Sequence, residues 1–304
     1  MAVRIKSTGI SRAADTHSIV ENSGRAAKQS LERVGVRPDQ VGVLINAGIF
    51  RDSNTVEPAV SALIQKAAGI GLEYGKDDPR TFSFDLMNGA VGVLNAVQVA
   101  SSILDTGSAE HVLIVSGDTH PSQTRSIADD EFPYATAGAA LLLEHTDEPE
   151  GFGPVHTAIG AGAPAVEAYV DTATMGLVGR GLMTVVREEG FEDRLLETAL
   201  EAARSALTEA ELADLSGIAL IASTPSANFP LRIAEDLGIA VDSVRRPDLT
   251  DGDPHTAALP MAYDKAVTEQ TLRGYTYLLF VAAGAGPSAA AALYRLPALV
   301  GAPA

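Results

Sequence analysis

Apolar positions along this chain fall into two recurring textures. One is helical spacing, seen from Glu21 to Val34 before Gly35 and again from Leu195 to Leu207. The other is the continuous apolar run, as in Val41-Gly42-Val43-Leu44-Ile45-Asn46-Ala47 and Gly217-Ile218-Ala219-Leu220-Ile221-Ala222. Each run follows its helix after a short acidic link, Pro38-Asp39-Gln40 in one place and Leu212-Ala213-Asp214 in the other. A second unit also recurs. Ala90 to Leu104 reads as an apolar helix followed by the strand Val112-Leu113-Ile114-Val115-Ser116, and Thr256 to Leu272 as a helix followed by Tyr277-Leu278-Leu279-Phe280-Val281. A third pair closes each series, Ala139-Ala140-Leu141-Leu142-Leu143 and Ala290-Ala291-Ala292-Leu293-Tyr294. Runs that are continuous rather than alternating predict strands covered on both faces by helices.

The order of units is the same both times. It predicts an α/β protein of two similar βαβ-type halves, residues 1–150 and 151–304, packed together. The alternative is one irregular α/β domain with chance similarity, and three paired units in one order weigh against it.

The repeat focuses attention on position 90. Phe84-Asp85-Leu86-Met87-Asn88-Gly89-Ala90-Val91-Gly92-Val93 reads as a buried strand, a tight glycine turn and the start of an apolar helix. A residue at such a turn meets the free backbone N–H groups and positive dipole end of the helix, a good seat for a thiolate. Ala90 places a methyl group there, and the chain has no cysteine. The segment around His255 occupies the related place in the second half. If a pseudo-twofold axis relates the halves, two helix starts converge on one small volume suited to an anionic or oxyanionic reaction centre.

Composition narrows the class. Hydrophobic residues make up 46% of 304 positions and charged residues 20%, enough for a large core. A net charge of −17 argues against nucleic acid or an anionic membrane as partner, and against a polyanionic coenzyme without a local basic patch. No segment reaches the ~18–20 apolar residues of a membrane span. Met1 to Arg12 holds no apolar run long enough for a secretory signal, which predicts a cytoplasmic protein. Without cysteine there is no disulfide framework or thiolate metal site, and the histidine spacing implies no metal.

Four segments, in order, resemble one family. Phe84 to Val93 is similar to a nucleophile elbow. Ala227-Asn228 with Leu231-Arg232-Ile233 resembles the segment after a catalytic histidine. Gly252-Asp253-Pro254-His255-Thr256-Ala257-Ala258-Leu259-Pro260 resembles the loop and helix start that carry a catalytic asparagine. Gly284-Ala285-Gly286-Pro287-Ser288 resembles a C-terminal glycine loop. The family is the thiolase superfamily, in its β-ketoacyl-acyl carrier protein synthase III-like branch. The resemblance implies a thiolase-like fold layered αβαβα, a dimer contacting through the strand before residue 90, and no cofactor. It implies acyl-CoA or acyl carrier protein as partner and a Cys-His-Asn site that takes an acyl group and condenses it or passes it on.

This chain departs from that site at all three positions. The cysteine position is Ala90, the histidine position falls at or beside Pro225 in Ser223-Thr224-Pro225-Ser226, and the asparagine position falls on Asp253. Ala90 is compatible with natural loss or with replacement of a native cysteine. His255, two residues beyond Asp253, is the candidate to stand in for the missing histidine, either as a neutral imidazole at a helix start or merely as a cap. Asn228 and Ser226 are expected to meet a thioester or pantetheine amide, or to cap the helix that Pro230 opens. Gly286 belongs to the same substrate side, and Met87 to the dimer contact beside the elbow or to the core. Ser53-Asn54-Thr55 reads as a mouth loop, and Arg51 and Arg180 as candidate phosphate contacts. His120 reads as a loop residue that could border the cleft; His17, His111, His145 and His156 read as surface or capping residues. Three functions remain open: an acyltransferase or condensing enzyme, a non-catalytic subunit pairing with an active homologue, and a decarboxylase of malonyl units acting through oxyanion stabilisation.

Overall fold

A computed structural model describes residues 2–12, 15–54, 57–71, 81–121, 132–170, 173, 183–284 and 286–297. The first series of strands is β1 (Ala2–Ser11), β2 (Val41–Asn46), β3 (Phe82–Asp85), β4 (His111–Asp118) and β5 (Ala137–Thr146). The second is β6 (Gly151–Ile159), a ribbon of β7 (Val166–Val170) and β8 (Met183–Arg187), then β9 (Ile218–Ala222), β10 (Val244–Arg245), β11 (Tyr277–Gly284) and β12 (Ser288–Arg295). Helices α1 (Ile19–Val34), α2 (Val60–Ala68) and α3 (Gly92–Asp105) fall in the first series; α4 (Phe191–Glu209), α5 (Phe229–Leu237) and α6 (Ala258–Thr268) fall in the second.

The strand order is β10-β9-β11-β12-β6-β1-β5-β4-β2-β3. Read outward from the centre, each side has the same connectivity, with the β7–β8 ribbon as an addition to the second. The sides meet where β1 pairs antiparallel with β6, Val3 opposite Phe152. This is the mixed α/β thiolase-like architecture, with the sheet continuous through its middle.

Alternation along the strands builds the layers. Val112 and Ile114 of β4 and Leu278, Phe280 and Ala282 of β11 pack into one core with α3 and α6. Their neighbours face outward: Leu113 and Val115 meet α1 and α2, while Leu279 and Val281 meet α4 and α5. Successive side chains point to opposite faces, so both faces must be apolar, which is why these runs carry no polar alternation. The central layer is then α3 and α6, whose N-terminal ends carry residue 90 and residue 255 toward one place.

Element bounds differ from the sequence reading at two telling points. β3 is the outermost strand and not a buried one, with Phe82 63% exposed. The helix expected from Thr256 to Leu272 runs only from Ala258 to Thr268, because His255–Ala257 forms a separate tight turn. No helix among the described residues is long and apolar enough to cross a membrane.

Helix α1 lies directly on the sheet backbone. A Cβ at Gly9 of β1 would stand 1.9 Å from the Ala26 carbonyl oxygen, and one at Gly138 of β5 would stand 2.5 Å from the Asn22 carbonyl carbon. Gly9→Ala is therefore expected to lower unfolding stability by about 3 kcal/mol through forced separation of α1. Gly153→Ala, whose Cβ would meet only the Leu293 oxygen at 3.5 Å, should change it by under about 1 kcal/mol. Urea unfolding of the two variants checks the contrast.

Candidate active site

The turn after β3 is fixed from both ends. Leu86 N donates to Asn46 O at 2.8 Å. Asp85 accepts from Asn46 Nδ2 at 3.0 Å, and from Ser61 N at 2.8 Å and Val60 N at 3.0 Å at the start of α2. Gly89 has φ +52°, a left-handed conformation that favours glycine, and Val91 N and Gly92 N both donate to Asn88 O at 3.1 Å. Because this turn takes the first amides, α3 begins at Gly92 and not at Ala90. Gly284 at the end of β11 abuts the turn; a Cβ there would stand 3.2 Å from Val91 Cγ2.

Ala90, buried at 4% exposure, lines a small cavity with Tyr134, Arg187, Thr224, Asp253 and His255. Val166, Phe191 and Leu195 supply apolar wall. The free volume is ≈ 30 Å³, about the space of one water. The three positions expected to carry chemistry, Ala90, Asp253 and His255, thus share one cavity.

His255 has φ +47°, strained for a residue with a side chain, and hydrogen bonds hold it there. Its N–H donates to Asp253 Oδ1 at 2.9 Å, and its Nδ1 lies 3.0 Å from Asp118 Oδ2. Its side chain does not cap the following helix. Tyr134 stacks on the imidazole with ring centroids 4.1 Å apart. With Nδ1 committed, Nε2 is the nitrogen available to the cavity.

Asp118, wholly buried at the end of β4, organises the site. Oδ1 accepts from Ile49 N at 3.0 Å and Phe50 N at 2.8 Å. Oδ2 accepts from His255 Nδ1, from Thr256 N at 3.1 Å and from Thr256 Oγ1 at 2.5 Å. Burial alone would push this carboxyl up; the facing imidazole and the donated hydrogen bonds outweigh it and hold it below the usual value. Burial likewise opposes charge on His255, but the attraction of Asp118 and its hydrogen bond raise the imidazole above its ordinary value. Asp118 thus favours the charged imidazole, against the neutral form expected at a helix start.

Two neighbours complete the electrostatics. Asp253 accepts from Thr224 Oγ1 at 2.8 Å, and burial pushes its carboxyl up against the opposing pull of His255. Burial, with Asp253 nearby, pushes the Tyr134 phenol up to about 12, so it stays a hydrogen-bond donor. Among the described residues no group of three or more histidine and carboxylate side chains is arranged to hold a metal ion.

The remaining candidates spread out. Ser226 Oγ donates to Glu192 Oε2 at 2.8 Å, away from the cavity lining. Asn228 precedes α5 with φ −92° and ψ −16°, and its side chain makes no cap bond. That backbone is already helical, so the amide does not reach back as an extended cap residue would. Gly286 is exposed, and Met87 is 50% exposed with Arg51 Nη2 2.6 Å from its sulfur. His111 is a buried residue and not a surface one, with Nδ1 3.3 Å from Gln40 O. His120 is buried against Phe132. Arg180 and Thr55 lie outside the described residues, as does Ala285. Sequence reasoning missed Asp118, Tyr134 and Arg187. The one available signal was Gly117-Asp118, an acid ending a strand whose middle, Val112 to Val115, is an unbroken apolar run.

Comparison with known proteins bears on the family and the fold. Residues 84–163 match the family model described as 3-oxoacyl-[acyl-carrier-protein (ACP)] synthase III. A β-ketoacyl-[acyl-carrier-protein] synthase III from Roseiflexus sp. strain RS-1 is 30% identical over 288 residues, 90% of this chain and 81% of that protein. One from Thiobacillus denitrificans is 26% identical over 295 residues, covering 93% and 86%. Among solved structures, the priming β-ketosynthase of the R1128 polyketide pathway superposes with a TM-score of 0.80 at 20% identity, covering 97% of this chain and 96% of that one. The 3-oxoacyl-(acyl carrier protein) synthase III of Pseudomonas aeruginosa PAO1 gives 0.80 at 17% identity, covering 99% and 100%.

The Asp118–His255 pair makes the stability of the fold depend on pH. The raised imidazole contributes stability that is full below its unfolded value of about 6.5 and is lost as pH rises through its folded value. The lowered carboxyl contributes stability present above about 3.9 and lost as pH falls through its folded value. Asp118→Asn should therefore cost about 3 kcal/mol near pH 6, and the gap should narrow at higher pH. Histidine side-chain NMR should show the His255 titration moving down in the variant, with urea unfolding at several pH values giving the gap.

Proposed function

Because the chain belongs to the β-ketoacyl-[acyl-carrier-protein] synthase III family, we propose that it handles acyl thioesters on coenzyme A or an acyl carrier protein, in acyl transfer or condensation of the fatty-acid or polyketide type. The observation that carries this reading is the meeting of His255, backed by buried Asp118, with the residue-90 turn in one cavity. A thioester carbonyl seated over Ala90 would receive a hydrogen bond from His255 Nε2 as charge builds on its oxygen. Asp253, with its carboxyl pushed up by burial, is placed to hold or release a proton beside it. Ala90 has no nucleophile, so the chain as it stands forms no acyl-enzyme there. Transfer then goes directly from carrier to acceptor, or a malonyl unit loses carbon dioxide through the same oxyanion-stabilising groups.

One observation favours a second reading. With room for about one water, the cavity admits an acyl chain only after side chains move. A subunit that lends its fold to an active homologue has no need of that space. In either reading residues 1–150 bring the elbow and residues 151–304 bring His255 and Asp253. In the first we propose a cytoplasmic homodimer, joined through the open edge of β3 beside Phe82 and Met87.

Intact mass after incubation with a panel of acyl-CoAs and acyl carrier proteins tests the reading. The chain itself should gain nothing, and Ala90→Cys should gain one acyl group. His255→Gln in that background should slow the gain by about 100-fold. A folded Ala90→Cys variant that gains nothing from any donor would sink the acyl-transfer reading in favour of the partner subunit. Sedimentation tests the assembly: the dimer should become a monomer on Phe82→Lys, and an unchanged dimer would move the interface elsewhere.

A further inference from the structure

Arg187 lines the cavity and makes no ion pair among the described residues; Asp253, on the same cavity, feels its charge only at longer range. Arg187 closes β8 and reaches in from the ribbon. Its guanidinium carbon lies 6.0 Å from the Tyr134 ring centroid and 5.1 Å from that of Phe191. Its Nε is buried without a hydrogen-bond partner. The two carboxylates of the site are committed elsewhere, Asp253 to Thr224 and the His255 backbone, Asp118 to its own donors. Val166, Phe191 and Leu195 beside it are apolar and offer no acceptor.

We propose that Arg187 receives a carboxylate at the far end of the acyl group, so that the preferred substrate is an ω-carboxyacyl thioester rather than a plain fatty acyl one. This rests on the acyl-thioester reading above and deepens it. A guanidinium presents parallel donors in a plane, and a carboxylate matches them with two acceptors. A methyl-ended chain in the same place would leave the buried Nε unsatisfied and would press hydrocarbon against a charge.

Calorimetric titration separates the outcomes. The probes are succinyl- and glutaryl-pantetheine against plain acyl-pantetheines of matched length, pantetheine being the part shared by coenzyme A and carrier protein. The best carboxyacyl probe should bind roughly 10- to 100-fold tighter than its plain counterpart. Arg187→Met should reduce that preference to within about twofold, and Arg187→Lys, which keeps charge without the fork, should leave it intermediate. Equal binding of both series by the unaltered chain overturns the proposal and leaves the acyl-thioester reading intact. A preference that survives Arg187→Met in a folded variant also overturns it. Binding of neither series removes the acyl-thioester reading and the proposal with it.

Discussion

The site hangs on a single buried carboxylate. Asp118 is fully withdrawn from water and accepts from Ile49, Phe50, His255 and Thr256. An ion in that position costs several kcal/mol unless its lone pairs are met and an opposite charge faces it. Both conditions hold only if three separate pieces of chain come together: the loop after β2, the end of β4, and the turn before α6. The first two belong to one series of strands and the third to the other. The same interaction therefore joins the halves, sets the imidazole charge, and holds the strained backbone of His255.

That convergence follows from the layering. Strands buried on both faces require helices on both sides, and a repeat that closes on itself places one helix of each series in the shared middle layer. Helices α3 and α6 start at the same end of that layer. Their approach is allowed because the turn before α3 is built of small residues, with Gly89 left-handed and Gly284 leaving room against Val91. A bulkier residue in either place would hold the two helix starts apart, and the cavity beside Ala90 would open to solvent.

What was legible in the sequence follows the same physics. The continuous apolar runs identified the interior strands, since both faces of each meet hydrocarbon. The short edge strand β3 was misread as buried because Phe82 and Phe84 look like core residues, and nothing local records that no strand lies beyond them. Ala90, Asp253 and His255 could be brought to one place because the repeat supplies a symmetry argument. Asp118 could not, because its partner His255 is distant along the chain and an acid after glycine reads as a turn. Tyr134 and Arg187 sit on segments outside the repeat, where no periodicity speaks for them. Asn228 shows the limit from the other side: residue type and following proline name a cap, yet its helical backbone puts the amide out of reach.

The loss of a nucleophile changes what the rest of such a cavity is for. With cysteine at position 90, a paired imidazole would draw the thiol proton off and stabilise the thiolate. With a methyl group there, the polar groups that remain are a raised imidazole, a phenol kept protonated and a guanidinium. All three donate hydrogen bonds. Asp118 is spent on holding one of them, and burial raises the Asp253 carboxyl above its usual value. A cavity stocked with donors and lacking a nucleophile is suited to negative charge, whether developing on a carbonyl oxygen or already present on an acid.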